Sequence, residues 1–192
     1  MRHEVRSRSD AAWLRLDLDA DEVVMAAYGT VALVSSRVRA GGACGAPESG
    51  SRLVSLTSPV GGERVELAPP LSGDVVHVRL DGRAWIVRPG AFLAAGPGVA
   101  CEPAWGGSFE VGLRASGAGD LFLSAFGAAD LVDLDGAMVA EGACVMAFEE
   151  AVAWVDAPVG RRSAVELRGH GRVWLQTRNP DVLRGLLTSV GG

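Results

Sequence analysis

Hydrophobic and polar residues alternate along several short stretches of the chain. In WLRLDLD, Leu14, Leu16 and Leu18 would share one side of a strand, with charged residues on the other side. The stretches SFEVGLR, VVHVRL and LFLSAF repeat this period of two. Such alternation is typical of antiparallel strands that have one buried face. The pattern therefore predicts a domain built mainly from half-buried strands.

Turn-forming residues separate these stretches. The 26 glycines and 9 prolines concentrate in segments such as AGGACGAPESGS, SPVGGE and APPLSGD, which are short enough to join neighbouring strands. Many short strands with frequent turns favour an all-β fold, a sandwich or barrel of antiparallel strands. We expect a flexible, Arg-rich tail over residues 1–10 and a single all-β domain over residues 11–192.

Near its end the chain has a helical pattern. In NPDVLRGLLTSV, Asn179 can cap a helix and Pro180 suits its first turn. The apolar residues that follow have helical spacing and form a stripe, made of Val182, Leu183, Leu186 and Leu187. This pattern predicts a short C-terminal helix that packs on the domain.

Three segments of the chain resemble one another. They are YGTVALVSSRV, PGAFLAAGPGV and DGAMVAEGACV, and each has a valine nine positions after a glycine. We interpret them as one strand–turn–strand element used three times. The glycines Gly29, Gly90 and Gly136 are then predicted structural turns, because glycine adopts the positive φ angles that sharp turns require.

Composition excludes several classes of function. The formal net charge of −5 argues against nucleic-acid binding, which requires a basic surface. No window approaches the roughly 20 apolar residues of a membrane helix, so no membrane insertion is expected. The start, MRHEVRSRSDAAW, lacks the apolar run of a signal peptide, and Cys44, Cys101 and Cys144 lack chelating spacing. We expect a cytoplasmic protein with reduced thiols.

Catalytic motifs are missing from the sequence. All 18 basic residues are arginine, so a phosphate-binding loop lysine and a Schiff-base lysine are excluded. No G-x-S-x-G elbow occurs, and neither Cys101 nor Cys144 has a neighbouring histidine in sequence. We therefore predict no catalytic residues and no cofactor, and we expect that the protein is not an enzyme.

The three histidines of the chain offer little for a metal. His3 falls in the predicted tail, and neither His77 nor His170 has a second histidine two residues away, as a cupin-like metal motif requires. We predict no metal site. A pairing of His77 with His170 and a carboxylate in space is the alternative that the sequence leaves open.

The stretch GHGRVWLQTR (169–178) is a predicted strand with an unusual number of polar and aromatic side chains on one face. By alternation one face carries Arg172, Trp174, Gln176 and Arg178. Aromatic and basic side chains on one face can stack RNA bases, but the negative net charge opposes that reading. We interpret these four residues as a subunit interface in which arginine stems lie beside the tryptophan.

Several segments carry a resemblance to a known family. RAWIVRPGAFLAAGPGV, GAGDLFLSAFG, DLVDLDGAMVA and GHGRVWLQTR, in this order, resemble the altered-inheritance-of-mitochondria protein 24 family. The resemblance spans roughly residues 12–178 and identifies the chain as a divergent prokaryotic member. It implies a short double-stranded β-helix, related to that of the tryptophan RNA-binding attenuation protein, and trimeric assembly. No catalytic residue set is established for the family, so none is carried over.

Together these observations predict a non-catalytic protein that acts by assembly or by binding a protein partner of unknown identity. We expect a homo-oligomer, with a trimer favoured by the resemblance. The alternative is a domain that binds a small ligand, and more weakly a metal-dependent cupin-like enzyme built around His77 or His170.

Overall fold

A computed structural model describes residues 1–9, 11–44, 52–106, 109–156 and 164–190, most of which lie in strands. In chain order these strands are β1 (Arg2–Arg8), β2 (Ala11–Leu18), β3 (Val23–Ala27), β4 (Val31–Val34), β5 (Arg39–Cys44), β6 (Leu53–Thr57), β7 (Glu63–Leu67), β8 (Val75–Asp81), β9 (Trp85–Val87), β10 (Phe92–Ala95), β11 (Val99–Gly106), β12 (Phe109–Ser124), β13 (Ala129–Glu141), β14 (Val145–Glu149), β15 (Ala153–Asp156) and β16 (Ala164–Gln176). Short 3₁₀ turns at Pro89–Ala91 and Gly142–Cys144 precede β10 and β14, and a helix, α1 (Pro180–Val190), follows β16.

Within these ranges the strands form two sheets with antiparallel ladders. The smaller sheet has the order β1-β2-β7-β4. The larger has the order β13-β16-β14-β9-β12-β10-β3-β6-β5, with β8 and β11 also paired to β12 and β15 paired to β16. The predicted all-β fold with a short C-terminal helix is confirmed. The finer expectation of a double-stranded β-helix stays a prediction.

The alternating pattern of β2 is the clearest link from sequence to packing. Leu14, Leu16 and Leu18 are at most 1 % exposed, while the intervening residues are half-buried. They pack with buried side chains of the larger sheet, including Val24 and Phe122. Burying a leucine side chain contributes about 1.5–3 kcal/mol, so this face of β2 fastens the two sheets together.

The long strand β12 is the hub of the larger sheet, because its first half pairs with β11 and its second half with β8 and β10. Gly117 lies between the two halves with φ +109°. A Cβ atom there would collide with the carbonyl oxygen of Gly98, in the turn before β11. Glycine at this position therefore permits both the backbone angle and the close approach.

The buried side chains form three groups. One surrounds Trp85, which is 1 % exposed and packs with strands β8, β9, β10, β12 and β14. A second is the group of β2 with Phe122, and a third surrounds Leu167 and Val173 on β16. β12 contributes buried side chains to the first two groups and therefore connects them.

The predicted flexible tail over residues 1–10 is wrong for Arg2–Arg8, which form β1. This strand pairs along its whole length with β2, from Arg2 opposite Asp17 to Arg8 opposite Ala11. Residue 10 lies outside the described residues. The backbone ladder with β2, more than apolar burial, holds β1 in place, and Val5 is 37 % exposed. A single domain over residues 11–192 stays a prediction.

The three predicted glycine turns differ from one another. Gly29 lies in the turn between β3 and β4 with φ +87°. Gly90 lies in a 3₁₀ turn without a positive φ. Gly136 lies inside β13 opposite Gly169, with φ +104°. The predicted turn at Gly136 is therefore wrong, and the three segments do not share one strand–turn–strand element.

The helix begins as the sequence predicts, but its packing differs. The Asn179 side-chain oxygen accepts a hydrogen bond of 2.8 Å from the backbone N–H of Asp181, which is an N-cap. The prediction that the apolar stripe packs on the domain is wrong for three of its four residues, whereas Leu183 is half-buried. Val182, Leu186 and Leu187 are 60 %, 60 % and 68 % exposed, because α1 meets the body of the protein mainly at the 3₁₀ turn before β14.

Candidate functional site

The side chains predicted as an interface lie on β16 or just beyond it, and they make contacts within the chain. Gln176 donates from Nε2 to the carbonyl oxygen of Ala143 (2.8 Å) and accepts from the backbone N–H of Phe126 (2.9 Å). The Arg178 guanidinium lies 5.5 Å from the centre of the Phe126 ring. Trp174 packs against the Trp85 core group. A subunit contact through these residues stays a prediction.

The fourth of these residues, Arg172, pairs with Glu149 at the end of β14. Glu149 Oε1 accepts a hydrogen bond of 2.9 Å from Arg172 Nε, and its Oε2 accepts one of 3.1 Å from the Arg172 backbone N–H. The Glu149 side chain is only 9 % exposed. Burial acts to raise the pKa of Glu149, but the hydrogen bonds from Arg172 outweigh it and lower the pKa. This ionised group joins β14 to β16.

The neighbouring Glu150 points elsewhere. Its carboxylate accepts hydrogen bonds of 2.6 and 3.1 Å from Arg114 Nε and Nη2. Glu149 and Glu150 bind different arginines and therefore do not form a paired acid site.

The histidines are placed differently from the alternative that the sequence left open. His170 lies on β16 with its Nε2 2.9 Å from Asp135 Oδ1, and both side chains are more than 80 % exposed. His77 lies on β8 beside His3 on β1 and Asp120 on β12. The structure thus brings His77 together with His3, which the sequence placed in a tail, and His170 is not part of this group.

The group of His3, His77 and Asp120 forms where the two sheets meet. His77 Nε2 is 2.8 Å and Arg79 Nη1 is 3.0 Å from Asp120 Oδ1. The rings of His3 and His77 have centroids 4.2 Å apart, and both stand about 5 Å from the ring of Phe122. One potential ligand atom from each of the three residues lies within 4.8 Å of the others.

Electrostatics set the protonation of this group. Burial lowers the pKa of His3, and the neighbouring His77 lowers it further against the opposing effect of Asp120. Burial raises the pKa of Asp120, but hydrogen bonds from His77 and Arg79 outweigh it and lower the pKa. At neutral pH the site therefore holds a neutral His3 imidazole beside an Asp120 carboxylate.

A cleft of about 350 Å³ lies between α1 and the body of the protein. Phe126 and Gln176 line it together with the charged side chains of Arg88, Asp181 and Arg184. Burial lowers the pKa of Arg88. The volume falls within the range of small-molecule sites, about 300–1,000 Å³.

Large apolar side chains are exposed at several places besides the stripe of α1. On β13, Leu131 and Val139 are 41 % and 56 % exposed, and on β4, Leu33 and Val34 are 49 % and 40 % exposed. Among the strands described, β13 stands at the end of the larger sheet and pairs only with β16. Its second row of backbone groups has no strand partner among the described residues, and such an edge can pair with another chain.

An antiparallel all-β architecture with an exposed edge strand and a capped C-terminal helix defines the structural class. The chain belongs to the Mitochondrial biogenesis AIM24 family, whose model matches residues 3–178. This confirms the family resemblance found in the sequence.

A crystal structure of a Streptococcus pyogenes protein has a similar fold. It is 21 % identical, the match covers 98 % of this chain and 99 % of that one, and the TM-score is 0.84. No curated relative matches the sequence. In the described part of the chain, no helix has the length and apolar character that crossing a membrane requires.

Proposed function

We propose that the protein is a non-catalytic homo-oligomer that acts by assembly. The observation that carries this proposal is the uncovered apolar stripe of α1, formed by Val182, Leu186 and Leu187. Exposed apolar side chains grouped on one face mark interaction surfaces. His77 and His170 each contact an aspartate of the chain and Glu149 contacts Arg172, and a structural role explains these contacts without a catalytic one.

The length of α1 strengthens this argument. The helix has 11 residues and contains Gly185, Thr188 and Ser189, which have low helix propensity. Isolated helices shorter than about 12–15 residues are marginal in water, and helices in proteins gain most of their stability from packing an apolar face. Contact with another molecule would supply packing that the described part of this chain does not.

A second copy of the chain is the occupant we propose. Of the exposed apolar side chains, we choose the α1 stripe and Leu131 and Val139 of β13 as the two contact surfaces, because β13 also stands at the end of the larger sheet. Contact between α1 of one copy and β13 of the next is heterologous, and such contacts generate closed rings when the rotation closes. We expect a ring of three copies, the number implied by the family resemblance.

Native mass spectrometry and light scattering of the untagged protein test this proposal. We expect a closed trimer for the natural sequence. Leu186→Glu should convert it to monomer, because a charge on the stripe opposes apolar contact. The matched control is Thr188→Glu, which adds the same charge on the opposite side of the same helix and should leave the oligomer intact.

Two results would contradict the assembly. A natural chain that stays monomeric at micromolar concentrations would overturn it. If Leu186→Glu and Thr188→Glu changed the oligomeric state equally, the apolar stripe of α1 would not be part of the contact. Circular dichroism of both variants separates lost assembly from lost folding. The cytoplasmic location expected from the sequence stays a prediction.

The cleft beside α1 favours a second candidate function, the binding of a small anionic ligand. Arg88 and Arg184 contribute positive charge to a space of suitable volume, and Asp181, which pairs with Arg184 at 3.1 Å, offsets one of these charges. The same native mass spectra test it: a subunit mass raised by one small molecule, lost in Arg184→Gln, supports a ligand site. A bare subunit mass leaves assembly as the function.

A further inference from the structure

We propose that His3, His77 and Asp120 bind one divalent cation of the zinc class. The inference goes beyond assembly and does not depend on it. It also departs from the sequence analysis, which predicted no metal site because His3 was placed in a tail. The observation that carries it is the meeting of two imidazoles and one carboxylate from three different strands.

The ligand types select the class of metal. Two imidazole nitrogens and one carboxylate oxygen suit Zn²⁺, Ni²⁺ or Cu²⁺, whereas Mg²⁺ and Ca²⁺ prefer sites made of oxygen alone. Three protein ligands complete three corners of a tetrahedron and leave the fourth to water or another ligand. We choose zinc as the probe because it has no redox chemistry and accepts this mixed set.

The distances require only local movement. At zinc bond lengths near 2.1 Å, tetrahedral ligand atoms lie about 3.4 Å apart. The atoms of this group are within 4.8 Å of one another, and His77 Nε2 is already 2.8 Å from Asp120 Oδ1. Side-chain rotations that bring the ligand atoms closer by at most about 1.4 Å, and a metal in place of the His77–Asp120 hydrogen bond, would form the site.

Surrounding residues hold the ligands in place. In the β8–β12 ladder His77 is opposite Phe122, and Arg79 is opposite Asp120. Arg79 donates to Asp120 Oδ1 at 3.0 Å, the kind of outer contact that orients a ligating carboxylate. The ring of Phe122 backs both imidazoles.

Two electrostatic effects oppose each other at this site. The positive charge of Arg79 repels a cation, while the ionised Asp120 attracts it and lies closer to the proposed position. Arg79 is 65 % exposed, so solvent weakens its repulsion. The Asp120 side chain is only 16 % exposed, so solvent weakens its attraction less than it weakens the repulsion from Arg79.

A cation here would join the sheets. His3 belongs to β1 at the edge of the smaller sheet, whereas His77 and Asp120 belong to the larger one. Binding that occurs only in the folded state raises stability. Zinc should therefore raise the melting temperature of the protein by fastening β1 against β8 and β12.

The test uses untagged, chelator-stripped full-length protein titrated with zinc chloride. We expect calorimetry and native mass spectrometry to show one zinc per chain. His3→Gln, His77→Gln and Asp120→Asn should each weaken binding at least 100-fold. The matched control is His170→Gln, because His170 also pairs with an aspartate but lies in an exposed pair without a second histidine. It should bind zinc like the natural chain.

Thermal unfolding tests whether zinc also stabilises the contact between the two sheets. Zinc should raise the melting temperature of the natural chain and of His170→Gln, but not of His3→Gln. His3→Gln alters an exposed position on an edge strand, so it keeps the test valid if His77→Gln fails to fold. Binding weaker than millimolar, or equal loss in His3→Gln and His170→Gln, would overturn the proposal.

Discussion

Replacing Glu149 by glutamine tests the most buried ion pair described for β16. The natural carboxylate accepts three contacts from Arg172, which are the backbone N–H, Nε and Nη2, at 3.1, 2.9 and 2.8 Å. A glutamine keeps one acceptor oxygen but directs an NH₂ group at donors. Glu149→Gln therefore removes charge-assisted hydrogen bonds without changing the size of the side chain.

The expected loss follows from burial. A hydrogen bond to a charged group contributes about 1.5–3 kcal/mol. Glu149 is buried but Arg172 is 39 % exposed, so we take about 2 kcal/mol, near the lower end. For a chain of this length that lowers the melting temperature by roughly 4–8 °C. The control, Glu150→Gln, breaks an exposed pair worth about 0.2–1 kcal/mol and should shift the midpoint by less than about 4 °C.

Acid titration checks the same reasoning independently. Because the pKa of Glu149 is lowered in the folded protein, its stabilisation is fully present above the ordinary value of 4.5. It is lost as the pH falls through the lower folded value. The difference in melting temperature between the natural chain and Glu149→Gln should therefore shrink below about pH 4.5. Equal shifts for Glu149→Gln and Glu150→Gln at pH 7 would refute this account.

Three further expectations follow from single residues. Gly136→Ala should destabilise the protein by about 1 kcal/mol, because alanine is strained at a φ of +104° and this strain exceeds the benefit of a less flexible unfolded chain. Gly90→Ala should leave the melting temperature unchanged, because Gly90 has open space around it and no positive φ. Asn179→Ala should remove about 1 kcal/mol from α1 and speed amide hydrogen exchange in its first turn. Burial raises the pKa of the Cys144 thiol, so peptide mapping at pH 8 should show slower alkylation than for glutathione.

The sequence predicted the parts of the fold in which one face is buried. The leucines of β2 alternate with charged residues because that strand packs against the larger sheet. The N-cap at Asn179 was also visible, because capping depends on residues that are close in sequence. The exposure of the apolar stripe that follows it could not be predicted, because periodicity identifies an apolar face but not the surface that covers it.

The prediction failed at β1, although a signal was present. Charged residues occupy positions 2, 4, 6 and 8, with His3, Val5 and Ser7 between them, which is a period of two. Most of these side chains are polar because an edge strand buries little, so the segment resembled a tail. The contact between His3 and His77 joins positions 74 residues apart on different sheets, and no local pattern encodes it.

Exposure has opposite meanings at the two proposed surfaces. On α1 it places leucines in water, which is unfavourable and is relieved when another copy covers them. At His3 and His77 partial exposure is an advantage, because a hydrated cation must enter and keep an outer ligand. The two should therefore respond independently: Leu186→Glu should release monomers that still bind zinc, and His3→Gln should lose zinc while keeping its oligomeric state. If either variant lost both zinc binding and the oligomeric state, the zinc site between the two sheets and the α1 contact would be coupled.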